Sequence, residues 1–347
     1  MGRALTFSDP RVIGLLNEKF VPVAANISHL QRQADEEGRF LRLVSWQGRF
    51  GLSFEEASAR MADTEHGECH QGQFVTTTEG ELLSSRHVRD PDQLLEMMEQ
   101  ALENWERRET QHGCFQMGEV EAPDTRFAWA YPEDGLVLHL GVRDLPRQVD
   151  LRPETFLDSH NQDYVWFTRE EMRSILPGDV APGDTFPMPE AITRRLVRFH
   201  LIDSVRGETS PWPAEALCDV EIGLTVTDVT PERVDLKVSG HVFVREEKDW
   251  CTFPPRESVY ERGEMCCIIR ERGFDAKLLG YFSFDPQAER FSRFDLVAVG
   301  SRWGATTFNN RREDVESAPM GVAMTIAGRT ERDRTPPHAS RRSYFDV

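Results

Sequence analysis

"VEIGLTVTDVTPERVDLKVSGHVFV", residues 220–244, decides the fold class of most of this chain. Val220, Ile222, Leu224 and Val226 alternate with other residues, and after the connection "DVTPER" the alternation returns with Val234, Leu236, Val238, Val242 and Val244. A period of two marks strands with one buried face, so the pair predicts an antiparallel hairpin. Downstream, "AKLLGYFSFDPQAERFSRFDLVAVGSRWG" repeats the plan with Asp285, Pro286 and Gln287 at the turn, and "GVAMTIAG" adds a last strand.

Upstream, "GLVLHLGV" alternates Leu136, Leu138 and Leu140 against Val137 and His139, and "DYVWFT" is a buried strand with aromatic anchors. Thr168 followed by Glu171 is a capping box for a short helix. "PEAITRRLVRFHLIDSVRGE" opens with a proline suited to a first turn and carries Ile192, Leu196 and Phe199 at helical spacing, with His200 beside the stripe as a partly buried imidazole. The expectation for residues 127–328 is an α+β domain dominated by an antiparallel sandwich or partly open barrel of about five strands.

The N-terminal third has a different rhythm. Ser8 or Asp9 can cap "PRVIGLLNEKF", whose Val12, Ile13, Leu15, Leu16 and Phe20 form an apolar stripe. "FVPVAANI" predicts a short buried strand, "DEEGRFLRLVSWQ" an amphipathic helix, "GQFVTTTEGELLSSRHV" a hairpin turning at Glu79 and Gly80, and "DPDQLLEMMEQALENWERRE" a closing helix. Over residues 5–106 this order resembles the thioredoxin-like superfamily, in the pattern of "SDPRVIGLLNEKFVPV" and in the later hairpin.

The resemblance implies a shortened α/β thioredoxin-like domain over residues 1–108, without the first core strand, without a C-x-x-C dithiol and with "ECHQGQF" where the family places a proline before the hairpin. Disulfide exchange needs an attacking thiolate and a second sulfur, so the pattern implies a scaffold without the redox chemistry. Residues 109–126 are polar and nonperiodic, a linker; residues 329–347, with Arg329, Arg332, Arg334, Arg341 and Arg342 around a proline pair, are expected to be a flexible basic tail.

Charge narrows the partners. Lys and Arg total 41 against 59 Asp and Glu, a formal charge of −18 that repels phosphate backbones and anionic membranes, so nucleic acid and membrane are not the expected partners. No apolar run has the length of a signal peptide or a membrane span, which places the protein in the cytoplasm. The six cysteines have irregular spacing and are expected to be reduced thiols; the vicinal Cys266 and Cys267 point to opposite faces of a strand and do not share a metal.

The best local site is "EHGECH", residues 65–70. His66 and His70 lie four apart around Cys69, so on one helical turn they would offer a soft N/S set for zinc, copper or iron. Imidazolium beside Cys69 would equally make a reactive thiol, with Cys69 and His70 catalytic, and a solvated polar loop has the same composition. A second cluster, Asp158, His160 and Asp163, offers metal ligands or acid–base groups, or simply satisfies backbone donors.

The chain has no G-x-S-x-G, H-E-x-x-H, P-loop or dinucleotide fingerprint. Two functional expectations follow. One is a non-redox thioredoxin-like two-domain protein that binds a small ligand or a protein partner, including one that supplies the missing strand. The other is a metal-dependent or single-cysteine enzyme built on His66, Cys69 and His70 with Asp158 and His160 as further ligands.

Overall fold

The computed structural model describes residues 6–33, 35–60, 69, 71–88, 90–107, 131–148, 156–251, 267–338 and 344–345. The chain is mixed α/β with a large open antiparallel sheet, and it divides into two units, Met1–Ala130 with Arg329–Pro336 and Tyr131–Gly328 with Pro337–Val347. The expected linker, 109–126, lies outside the described residues.

In the first unit, helix α1 (Pro10–Lys19) starts where Asp9 accepts from the Arg11 amide at 2.8 Å and Pro10 fills the first turn. Its Val12 packs on Leu94, Met97 and Met98 of α5 (Pro91–Arg107). Between them lie α2 (Ile27–Leu30), α3 (Glu36–Phe50), α4 (Phe54–Arg60) and the hairpin β1 (Gln73–Thr76) and β2 (Leu82–Arg86). Gln47 on α3 locks the hairpin turn, donating to the Gly80 carbonyl at 2.8 Å and accepting from the Leu82 amide at 2.9 Å. Gly80 itself sits at φ 91, a conformation that favours glycine.

The expected buried strand "FVPVAANI" is not one. Val21 is 90% and Val23 83% exposed, and Val21 to Ala25 form no backbone hydrogen bond among the described residues. A strand is defined by its neighbour, and the hairpin is the one sheet of this unit among the described residues.

The second unit holds a large antiparallel sheet as expected, of eight strands and not closed, where about five strands in a sandwich or partly open barrel were expected. Its strands are β3 (Leu136–Asp144), β4 (His160–Phe167), β5 (Thr185–Pro187), β6 (Leu217–Thr230), β7 (Arg233–Cys251), β8 (Cys267–Asp285), β9 (Arg290–Trp303) and β10 (Ala318–Ile326). They run in the order β4-β3-β10-β9-β8-β7-β6-β5. The last strand returns to pair with β3, Val322 opposite Val142, and so draws the upstream hairpin into the same sheet.

The inner face packs on α6 (Arg169–Ser174), with its Thr168–Glu171 capping box, and on α7 (Glu190–Arg195), which widens into a π-helical turn, Leu196–His200. Each buried Leu, Val or Phe contributes about 1.5–3 kcal/mol. Three glycines on this face bring neighbouring backbones together: a Cβ on Gly300 would lie 1.9 Å from the Asp275 carbonyl oxygen, on Gly240 2.4 Å from that of Glu221, and on Gly280 2.7 Å from that of Asp295.

In the stretch expected as a flexible basic tail, several of the described residues are packed. Thr335 and Pro336 are buried in the first unit, where Arg32 donates to the Pro336 carbonyl. In the second unit, Asp163 accepts from the His338 amide at 2.9 Å, and Tyr344 is fully buried. Arg195 binds the Tyr344 carbonyl at 2.7 Å and Glu171 at 2.6 Å, with the Phe345 ring 4.6 Å from its guanidinium carbon. The Tyr344 hydroxyl accepts from the Trp166 amide of edge strand β4 at 3.1 Å and lies 2.6 Å from His200 Nε2. One aromatic residue in a polar stretch therefore fixes the segment, which composition does not reveal.

Two outcomes test this packing. Gly300→Ala is expected to cost about 2–4 kcal/mol of stability in urea melts. Gly141→Ala, where an added Cβ meets nothing within 4 Å, is expected to cost less than about 0.5 kcal/mol. Equal effects would refute the close-approach account. Burial, opposed by Asp163 and aided by Arg195, pushes His200 from 6.5 down to about 4. The unfolded chain then takes up this proton first, so stability is full above pH 6.5 and falls by on the order of 3 kcal/mol between pH 6.5 and 4. His200→Gln should flatten that slope, and an unchanged slope would remove His200 as its source.

Candidate interaction surface

On β7, β8 and β9 the side chains opposite the core face outward at every second position. Four of them are large and apolar: Leu279, Tyr281, Val297 and Val299 are 43%, 43%, 41% and 49% exposed. Register makes them neighbours, since Leu279 is opposite Val297. The same cross-strand row continues through Ser239 on one side and Ala323, Gly141 and Gln162 on the other, uncharged along its length.

Charged rows flank it. On one side run Glu221, His241, Lys277, Val299, Gly321 and Arg143, and on the other Thr225, Lys237, Tyr281 and Asp295. Asp295 is held by Arg293 at 2.6 Å and by the Thr325 hydroxyl at 3.2 Å, and the Arg293 guanidinium lies 5.6 Å from the Tyr281 ring centre. Glu221, Arg143, Lys237 and Lys277 form no ion pair and no side-chain hydrogen bond among the described residues. Beyond these rows Trp303 covers Gly273, stacks on Phe243 at 6.1 Å and donates to Glu271 at 2.7 Å.

His241 bridges two carboxylates on this face, Asp275 at 2.9 Å from Nε2 and Asp219 at 3.3 Å from Nδ1. Its hydrogen bond to Asp275, reinforced by both acidic charges, raises it above the ordinary histidine range. The surface offers apolar contact bordered by charges of both signs that are unengaged among the described residues.

The residues singled out in the sequence lie elsewhere. Cys69 is half-buried in the first unit, and His66 and His70 lie outside the described residues. Asp158 and His160 are exposed in the second unit at the start of β4, and His160 Nδ1 lies 3.1 Å from the Asp158 backbone oxygen rather than its carboxylate. Asp163 is engaged by His338. Among the described residues no group of three or more His, Cys, Asp or Glu is placed to hold a metal ion. No described helix is long and apolar enough to cross a membrane.

The outer face did leave a trace in the sequence. "LLGYF" at 278–282 and "LVAV" at 296–299 are apolar at both parities, whereas "VDLKV" at 234–238 alternates. A run apolar on both sides marks a strand covered on both faces. No family model matches the chain, and no curated protein or solved structure matches it.

A raised folded value means that His241 adds stability in full below its unfolded value and loses it as pH rises through the folded one. An NMR titration is expected to place the His241 ring above the ordinary histidine value of 6.5, and Asp275→Asn to lower it; a wild-type ring at or below that value would refute the bridge.

Proposed function

We propose that this is a non-redox binding protein of two units, in which a thioredoxin-like scaffold without its dithiol accompanies a recognition domain that takes a protein partner on the outer face of its sheet. The observation that carries the reading is the exposed cluster of Leu279, Tyr281, Val297 and Val299 in the middle of that face. Sheet interiors bury such residues, and a solvated antiparallel face carries polar ones. Leaving four together in water has a cost that a covering partner returns as about 25 cal/mol for each Å² of apolar surface buried. An open sheet face of this kind suits a macromolecule, since small ligands are enclosed in concave sites.

Hydroxyl-radical footprinting of the full chain in native cell extract, against the isolated chain at nanomolar concentration, is expected to show Leu279, Tyr281 and Val297 oxidised several-fold more slowly in the extract. Equal rates would overturn recognition at this face. The pure protein is expected to leave insulin disulfides intact in the presence of dithiothreitol beyond the uncatalysed rate, and turnover comparable to thioredoxin would overturn the non-redox half.

A further inference from the structure

We propose that the partner on this face is a second copy of the chain, packed sheet against sheet about a two-fold axis that runs parallel to the strands between β8 and β9. The inference rests on the reading of the outer face as a recognition surface and adds the identity of what covers it. Charge complementarity carries it. An isologous contact places each residue of a cross-strand row against the mirror position of the same row in the other copy.

With the axis between β8 and β9, Leu279 meets Val297 of the second copy, and Val297 meets its Leu279. In the adjoining row Lys277 lays its stem on Val299, His241 meets Gly321, and Glu221 meets Arg143. In the row on the other side Tyr281 meets Asp295, an acceptor for the phenol proton, and Lys237 falls opposite the Thr325 position. No like charges meet in these three rows. Glu221 and Arg143, unengaged among the described residues of one chain, find each other twice in the pair.

The other axis in the plane, along the uncharged row, fails the same test. It sets His241 against Lys237 and turns Val299 onto Asp295, so it brings cations together and buries a carboxylate on an apolar side chain. Packing edge to edge at β4 is closed by the Tyr344 and His338 contacts. Facing sheets with aligned strands match a common packing class, and the uncharged row lies at its centre.

The test is sedimentation velocity with light scattering on the full chain, with circular dichroism to confirm folding of each variant. The wild type is expected to dimerise at micromolar concentration, and Val297→Asp to remain monomeric. Glu221→Arg and Arg143→Glu are each expected to weaken the dimer about tenfold, and the two together in one chain to restore it. A folded wild type that stays monomeric overturns the proposal, as does a dimer untouched by Val297→Asp or a double variant weaker than both singles. If the pure chain is monomeric while extract still protects Tyr281, the partner is another protein and recognition at this face stands; if neither is seen, both fall.

Discussion

Asp144, at the end of β3, has a fully buried side chain, and two other segments of the second unit are held to it through Arg206 and Arg311. It accepts from Arg206 at 2.8 Å and from both terminal nitrogens of Arg311 at 2.8 and 2.7 Å. Arg311 also grips Asp203 at 2.8 Å, and Asp314 gathers Arg147, Arg206 and Arg302. These residues come from the end of β3, the loop after the π-helical turn, the end of β9 and the β9–β10 loop. A buried charge is tolerable only when its partners stay, and removal of one costs about 3–5 kcal/mol. Burial opposes the ionised form of Asp144, yet Arg311 and Arg206 hold it far below the usual carboxylate range, and Asp314 is brought down to about 2. The network therefore stays charged through the ordinary pH range, and the loop that returns the chain from β9 to β10 is fixed where β10 can pair with β3.

That closure gives the sheet two unequal faces. Inside, glycines at 240, 280 and 300 let neighbouring strands approach closely enough to pack on the α7 region. Outside, nothing in the fold asks Leu279 or Val299 to be apolar, because their Cβ atoms point away from the core. On the outer parity the fold buries Val137, Tyr164 and Trp166 at β3 and β4 but leaves Leu279, Tyr281, Val297 and Val299 of β8 and β9 exposed. The edge at β4, which is where sheets usually associate, is occupied by the chain's own C-terminal segment through Trp166 and Asp163.

Periodicity and capping made most elements legible. The Asp9 cap, the Thr168–Glu171 capping box, the hairpin around Gly80 and the alternation of 220–244 all follow from contacts within a few residues, and the structure forms each of them. Features that depend on distant partners were hidden. "FVPVAANI" has strand composition but no neighbour, so Val21 and Val23 are in water. The pairing of β10 with β3 couples residues nearly two hundred positions apart, which draws the upstream hairpin into one sheet of more strands than the expected five or so. Tyr344 is held by a guanidinium and an edge amide that no local pattern signals. The site residues fared similarly: single-residue chemistry drew attention to Cys69 and His160, while the surface was written in the parity of "LLGYF" and "LVAV", a signal that has meaning only once the inner face is known.

The same parity argument bears on the charge of the whole chain. At −18 the protein repels a second copy at long range, so any self-contact must rest on forces that outlive screening. The outer face meets that condition: its centre is uncharged, and its flanking cations Lys277, Lys237 and Arg143 sit among the acids Glu221 and Asp295 instead of adding to the general negative field. Apolar contact then provides the attraction, and the flanking charges select the register by penalising the arrangement that sets cation on cation. An acidic protein can thus associate across a face where cations and acids are interspersed around an uncharged centre.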